Sequence, residues 1–420
     1  MKAGLPEKPS GSYRLLHTAD WHLGKLLNER SREVEHERFL AWLLDLVKQS
    51  KVDAILLAGD VFDSSHPTQA ALASYFNFVS DLYRQSECQL LLIAGNHDSP
   101  SLLEAPRQAL AALKTHVHGF LSESAENRIV LLPNEDQPRV GVAMVPFLRD
   151  RDLRVGRAGE DAKTIRKQLV AGIKQRYDET AKAFASLGHN CPLIGTGHLT
   201  VAGGRESTSE RGIHIGGLGA VKAKAFSSRY DYVALGHLHR PQSCEDDDRV
   251  CYSGSPIALS FSESEDRKEV RVIDVTSNQL DISSVPIPVY RRLAQVRAKE
   301  TDLESTLRSF QVDEGELTTW VEVIVEDCSL GVDVNEQVRA IAEDCDFEVL
   351  KVIRESVRVM DRLAAEEGTD EESAVSLLEK PEEVFDHLLN QHELEPAERD
   401  SLTNAFSILV DLHSQSETAG

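Results

Sequence analysis

The sequence predicts an α/β layered fold. The prediction rests on short apolar runs that each end in glycine and polar residues, and on amphipathic helical stretches lying between those runs. The runs are YRLLHTADWH, DAILLAGDVFD, QLLLIAGNHD, PLIGTGHL and DYVALGHLH. Segments of this length and ending read as buried strands feeding loops. In EHERFLAWLLDLVKQS, Phe39, Leu40, Leu43, Leu44 and Val47 recur at helical spacing, as do Leu72, Phe76, Val79 and Tyr83 in TQAALASYFNFVSDLYRQ. Strand and helix in alternation give stacked layers. Ligands of such folds gather beyond the carboxyl ends of the strands, where the polar clusters lie here.

The elements follow in order. Residues 1–12 form an extension without a motif, and a motif-bearing domain runs over 13–284. Within it, the charged stretch from Asp150 to Ala185 has a helical pattern, and RVGVAMVPF, VCYSGSPIALSF and KEVRVIDVT read as further strands. Prolines in SVPIPVYRRLAQV then mark a change of texture. LTTWVEVIVED and FEVLKVIRES read as strands around a helical VNEQVRAIAEDC, which gives a small α+β domain over 285–361. Residues 362–380 read as an acidic linker. Residues 381–412 carry two apolar stripes, Val384, Phe385, Leu388 and Leu389, then Leu402, Phe406, Ile408, Leu409 and Leu412. Two short helices on a tether bury little against each other, so they read as a docking segment.

With 420 residues, 41% of them hydrophobic, the chain can bury a sizeable core, and its length suggests two or three domains. No run approaches the roughly 18 apolar residues of a membrane span. The N-terminus lacks an apolar segment before Tyr13, which predicts no secretory signal. Six cysteines without a C-x-x-C pair fit a reducing cytoplasm. A net charge of −23 argues against coating nucleic acid by bulk attraction. That excess is concentrated: Asp361 to Asp400 holds fourteen acidic side chains against three basic ones. Basic clusters remain in FLRDRDLRVGR (Arg149, Arg151, Arg154, Arg157) and VKAKAFSSR (Lys222, Lys224, Arg229), leaving room for local phosphate contacts. No G-x-x-x-x-G-K-[ST] loop is present, so any ATP dependence would come from a partner.

Seven polar residues stand at the predicted strand ends: Asp20, His22, Asp60, Asn96, His198, His237 and His239. Taken singly, each histidine reads as a satisfied strand-end residue, Asp20 as a cap for the next helix and Asp60 as part of a turn. His237 and His239, two apart on an extended chain, would point the same way. Five strand ends carrying such groups together point to a metal centre. Carboxylate, imidazole and amide oxygen suit manganese, zinc or iron. Seven ligands exceed one four-coordinate site, and one shared carboxylate would divide them between two ions about 3.5–4 Å apart.

In this order, DxH, GDxxD, GNHD, GHLT and GHLH resemble the motifs of the calcineurin-like metallophosphoesterases. TADWHLGK, LAGDVFD, IAGNHDSP, AMVPFLRDRDL, GHLTVAGG with SERGIHIGG, LGHLHRPQ and YSGSPIALSFSE are similar to the bacterial nuclease-subunit branch of that family. The resemblance covers Tyr13 to Ser284 strongly and the rest more loosely. It implies a four-layer αββα metallophosphoesterase sandwich with a small C-terminal α+β capping domain and a helical tail. It also implies one ion on Asp20, His22, Asp60 and His239, and a second on Asp60, Asn96, His198 and His237, with Asp60 bridging. His97 is implied to assist phosphodiester cleavage, and Asp98 to orient His97 or support its loop. A second catalytic histidine of some relatives is replaced here by Asp63, and His66 reads as a loop residue.

The implied activity is manganese-dependent 3′→5′ exonuclease action on duplex DNA, with endonucleolytic opening of hairpins, in DNA recombination, replication and repair. The implied partner is an ATPase with a long coiled coil, bound through residues 381–412, in a heterotetramer built on a nuclease homodimer. Helices around Ala70 to Tyr83 or Leu102 to Leu113 are candidates for the self-association face. The metal set alone would also suit a free-standing nucleotidase or phosphomonoesterase. A metal-free scaffold on the same fold would have no need for seven convergent ligands.

Overall fold

Strand β1 (Tyr13–Thr18) leads into a short hairpin, β2 (Leu26–Leu27) and β3 (Arg30–Ser31), then α1 (Glu33–Ser50), β4 (Ala54–Ala58), α2 (Gln69–Gln85) and β5 (Gln89–Ile93). Two short helices, α3 (Pro100–Glu104) and α4 (Arg107–Ala112), precede β6 (Thr115–His118). The chain continues through β7 (Ile129–Leu132), β8 (Val140–Ala143), α5 (Asp150–Leu153), α6 (Ala162–Ser186), β9 (Leu193–His198) and β10 (Tyr232–Gly236). It then forms β11 (Gln242–Cys244), β12 (Asp247–Tyr252), β13 (Glu269–Thr276) and β14 (Gln279–Pro286). The last elements are β15 (Arg291–Lys299), α7 (Leu303–Ser309), β16 (Leu317–Glu326), α8 (Val334–Ala342) and β17 (Phe347–Glu355). This is a computed structural model; it describes residues 7–155, 160–210, 220–244, 247–277, 279–312, 316–326 and 333–355, with residues 385, 389, 399, 402, 403, 405 and 406.

Two six-stranded sheets carry the fold, in the orders β14-β13-β1-β4-β5-β6 and β11-β12-β10-β9-β8-β7. Their inner strands are apolar on both faces because both faces are covered. Leu15, Leu56, Leu91 and Ile93 of the first sheet meet Val142, Ile194, Tyr232 and Ala234 of the second in a middle layer. The alternate residues Leu16, Ile55, Leu57, Leu90 and Leu92 face α1 and α2 through Phe39, Leu43, Phe78 and Leu82. On the far side, Val233 and Leu235 pack against Leu169, Ile173 and Tyr177 of α6. The result is the expected helix–sheet–sheet–helix stack. Thr68 caps α2 by accepting from the Ala71 N–H, which sets the start of that helix at the predicted place.

A further three-stranded sheet has the order β15-β16-β17, with α7 and α8 in the successive connections, as expected of a small α+β cap. By internal contacts the chain forms two units. One comprises Met1–Val296, Glu304–Val323 and Asn335–Val352; the other comprises Arg297–Leu303, Ile324–Val334 and Ile353–Gly420.

One sequence reading is shortened and one strand was unforeseen. VCYSGSPIALSF is a strand only as far as Tyr252. From Ser253 it is a loop, held where Ser255 Oγ donates to the Ile257 carbonyl and the Leu259 N–H donates to Glu263. Strand β7 had no clear signal, since its partly buried residues Ile129 to Leu131 sit on an edge strand. In the tail, one residue of each stripe is in contact: Phe385 stacks on Phe406 with ring centroids 4.0 Å apart and planes 4° from parallel. The other stripe residues Val384, Leu388, Ile408, Leu409 and Leu412 lie outside the described residues, as does the linker 362–380.

Candidate metal centre

All seven expected ligands come together where the two sheets end. Asp20 and His22 follow β1, Asp60 follows β4, and Asn96 with His97 follows β5; these three strands are neighbouring and parallel. His198 ends β9, and His237 and His239 follow β10, again a parallel pair. The extended geometry expected for His237 and His239 is absent, because β10 ends at Gly236 and His237 has φ 101°. Asp20, His22 and Asp60 also adopt positive φ, at 54°, 47° and 50°. Such backbone costs on the order of 1–3 kcal/mol per residue and persists only where surrounding packing over-determines it. Part of that packing is Trp21, buried between Asp20 and His22, edge-on to Phe39 and Phe78 at 5.8 and 5.3 Å. Its Nε1 donates to Thr18 Oγ1 at 3.0 Å.

Asp60 stands at the middle. Its Oδ2 lies 3.5 Å from His22 Nε2 and 3.3 Å from His198 Nε2, and its Oδ1 accepts from the His97 N–H at 2.9 Å. The ligand atoms of Asp20, His22 and His239 all lie within 4.8 Å of one another, as do those of Asp20, Asp60 and His198 and those of His22, Asp60 and His97. Asn96 Oδ1 is 2.8 Å from His198 Nε2. The His237 N–H donates to Asp20 Oδ1 at 2.9 Å, and its ring meets that of His198 with centroids 5.5 Å apart. Two glycines allow the approach. A Cβ on Gly95 would sit 2.1 Å from Asp60 Oδ1, and one on Gly59 would sit 2.4 Å from His198 Nδ1.

The donor set fits divalent cations. Asp20 Oδ2 and His22 Nε2 are buried without a hydrogen-bond partner, which is costly unless something positive or Lewis-acidic meets them. Burial, with Asp60 beside it, pushes the Asp20 carboxyl up to about 7 despite His198 and His22 nearby. Burial also opposes ionisation of Asp60, but His198, His22 and His97 hold its carboxyl well below the usual range. Burial pulls His198 down, yet the Asp60 charge and hydrogen bond raise it to about 9. Burial and neighbouring His198 keep His237 well below the ordinary value. Both Asp20 and His198 thus hold a proton more readily than the free side chains do, and a cation bound at the same place would compete with those protons.

The surrounding groups refine the sequence reading. Asp98 supports its loop rather than orienting His97: its carboxylate accepts from the N–H groups of Val61, Phe62 and Gly95 at 3.2, 3.0 and 2.8 Å. The His97 Nδ1 instead faces the Asp63 carbonyl at 2.7 Å, while the Asp63 carboxylate faces His22 Nδ1 at 3.2 Å and Lys25 Nζ at 3.1 Å. Sequence reasoning missed Ser209, Glu210 and Glu263 around His239, although they lie in the quoted SERGIHIGG and SFSE segments. The His239 N–H donates to Glu210 at 2.8 Å. His66 is an exposed loop residue next to Ser65 Oγ. Of the basic clusters, Arg154 is tied to Glu160 at 2.8 Å and Arg151 lies 3.9 Å from Asp152, whereas Lys222, Lys224 and Arg229 are exposed.

Comparison with known proteins agrees with this geometry. Residues 13–241 match the model of the calcineurin-like phosphoesterases, and residues 289–393 match that of the type 5 capsule protein repressor C-terminal domain, SbcD_C. The chain is 34% identical to the SbcD component of the SbcCD nuclease from Escherichia coli (strain K12), over 94% of its own length and 97% of that protein. It belongs to the SbcD family of calcineurin-like phosphoesterases. The SbcD relative from Rhodobacter capsulatus is 43% identical over 60% of this chain and 63% of its own. The SbcD relative from Bacillus subtilis is 35% identical over 62% and 66%. As an SbcD-family member with a buried His/Asp cluster at the strand ends, the chain is a metal-dependent phosphodiesterase. Among its described residues, no helix is long and apolar enough to cross a membrane.

Proposed function

We propose that this chain is the DNA-cleaving subunit of a cytoplasmic complex with an SbcC-like coiled-coil ATPase, acting in DNA recombination, replication and repair. Its activities are manganese-dependent 3′→5′ exonuclease action on duplex DNA and endonucleolytic opening of hairpins. The observation that carries this reading is the meeting of seven polar residues, buried Asp60 at their middle, in a chain that aligns over 94% of its length with a nuclease subunit.

In this reading Asp20, His22, Asp60 and His239 hold one ion, and Asp60, Asn96, His198 and His237 hold the other. When bound, the two ions supply positive charge to the phosphate oxygens and to the charge that develops in the transition state. The protein does the rest. Asp60 is kept ionised by three imidazoles, as a bridging ligand requires. His97, its Nδ1 held by the Asp63 carbonyl, would protonate the leaving group or stabilise the pentavalent species as a cation. Lys222, Lys224 and Arg229 serve as backbone contacts, with salt-sensitive and sequence-tolerant binding. Residues 13–284 act as the nuclease domain and 285–361 as its cap; 362–380 tether the docking segment 381–412. Exposed Phe76 and Tyr83 on α2 favour that helix for self-association.

The test is metal analysis with a hairpin-cleavage assay, with and without the ATPase, alongside small phosphate esters as competing substrates. Bound manganese and hairpin opening are expected. Efficient turnover of small esters with no cleavage of hairpin DNA would favour a nucleotidase instead.

A further inference from the structure

The imidazoles of the site are backed unequally. On one side, the hydrogen-bond partner of His198 Nδ1 is a neutral acceptor, the Ala58 carbonyl, at 2.9 Å, while the Asp20 carboxylate stands off at 3.9 Å. On the other, His239 Nδ1 meets Ser209 Oγ at 2.6 Å and Glu263 Oε1 at 3.3 Å. The Ser209 hydroxyl donates to that same carboxylate oxygen. With its proton given to Glu263, Ser209 presents a lone pair, so the shared proton belongs to His239 Nδ1 and Nε2 is left bare. Glu263 is itself fully buried and anchored. Lys268 Nζ donates to its second oxygen at 2.6 Å and to the His239 carbonyl at 2.9 Å, and the Leu259 N–H donates to it at 3.1 Å. His22, facing the same side as His239, also has a carboxylate behind it, that of Asp63.

A carboxylate behind an imidazole fixes the tautomer and ring orientation and makes the opposite nitrogen a stronger donor. A peptide carbonyl does the first without the second to the same degree. We infer that Glu263, braced by Lys268, is a positioning residue that turns His239 Nε2 into the site and makes the cation position of Asp20, His22 and His239 the tighter of the two. This rests on the two-ion reading proposed above.

The experiment is a manganese titration of the full chain, by calorimetry and by the electron paramagnetic resonance of free Mn2+, with melting in EDTA as the control for folding. Wild-type protein is expected to bind two ions in separable steps. Glu263→Gln keeps the shape and the Lys268 contact but loses the charge. It is expected to weaken the tighter step by about tenfold to hundredfold while leaving the weaker step and the EDTA melting curve in place. An unmoved tight step, a loss confined to the weaker step, or equal loss from both would overturn the inference. If Glu263→Gln melts early, Glu263→Asp keeps the charge beside Lys268 but draws the carboxylate back from His239 Nδ1, and an unmoved tight step there overturns the inference equally. Two ions on the wild type with no effect of either variant would sink this inference alone. A wild type that binds no divalent ion would sink the two-ion reading with it.

Discussion

Asp60 and His198 are a buried pair whose Oδ2 and Nε2 stand 3.3 Å apart, joining the end of β4 in one sheet to the end of β9 in the other. With His198 raised to about 9 from 6.5, their attraction is complete below pH 6.5 and is lost as pH rises through 9. Asp20, raised to about 7 from 3.8, acts in the same direction, because the folded chain keeps a proton that the unfolded chain has released. Asp60, held low, contributes its share throughout this range and loses it only in acid. Up to about pH 7.5 the buried His17, His36, His118 and His237, all held below the ordinary imidazole value, act in the opposite direction, so the loss shows above it. In EDTA the protein is therefore expected to melt at lower temperature as pH goes from about 7.5 to 9, and manganese is expected to restore more stability at pH 9 than at about pH 7.5. Scanning calorimetry with and without the ion checks both; a flat profile in EDTA would contradict the pairing.

Asp60→Asn removes the proposed bridge. Both ions are expected to be lost, and cleavage to fall by about a thousandfold or more, since each 1.36 kcal/mol of lost transition-state stabilisation is tenfold. Elemental analysis beside the hairpin assay is the measurement. One ion retained at full occupancy would show that Asp60 does not bridge.

His97→Ala separates chemistry from metal binding. Cleavage is expected to drop by about 10²–10⁴-fold with metal content unchanged. Loss of metal together with activity would move His97 from the chemistry to the ligand set.

Glu35 lies buried between two guanidinium groups, 2.9 Å from Arg32 Nε and 2.7 Å from Arg291 Nε, and Arg291 lies over the Trp320 ring at 4.0 Å. Arg32 also donates to the Ala258 carbonyl at 2.7 Å, on the loop leading to Glu263. Glu35→Ala leaves two cations without their counter-charge and is expected to cost about 3–5 kcal/mol of stability, read from urea unfolding. A change under about 1 kcal/mol would mean the arginines find other partners.

Truncation after Lys380 removes the proposed docking segment. Metal-dependent cleavage by the isolated nuclease chain is expected to persist, and co-purification with the coiled-coil ATPase to be abolished. Retained binding would place the docking surface elsewhere.

The layered fold was readable because strands covered on both faces must be apolar throughout. Leu15 and Leu16, or Leu90 and Leu91, therefore leave a mark in sequence even though they face different layers. The cluster was readable for a related reason: polar groups such as Asp20, Asp60 and His198, set directly against apolar strands, have few uses other than a shared site. Edge strand β7 and the loop after Tyr252 were not, because partial burial and mixed polarity leave no period to follow.

Local pattern thus pointed to most of the elements and to the polar side chains that meet at the strand ends. It could not say that Asp98 would clamp the Asp60 and Gly95 loops rather than steer His97, or that Glu263 would reach His239. Those pairings join residues up to 37 positions apart through hydrogen bonds whose geometry depends on how the loops close. A hydrogen bond needs placement within a few tenths of an ångström, and that is supplied only once the strands are paired and the loops at their ends are packed.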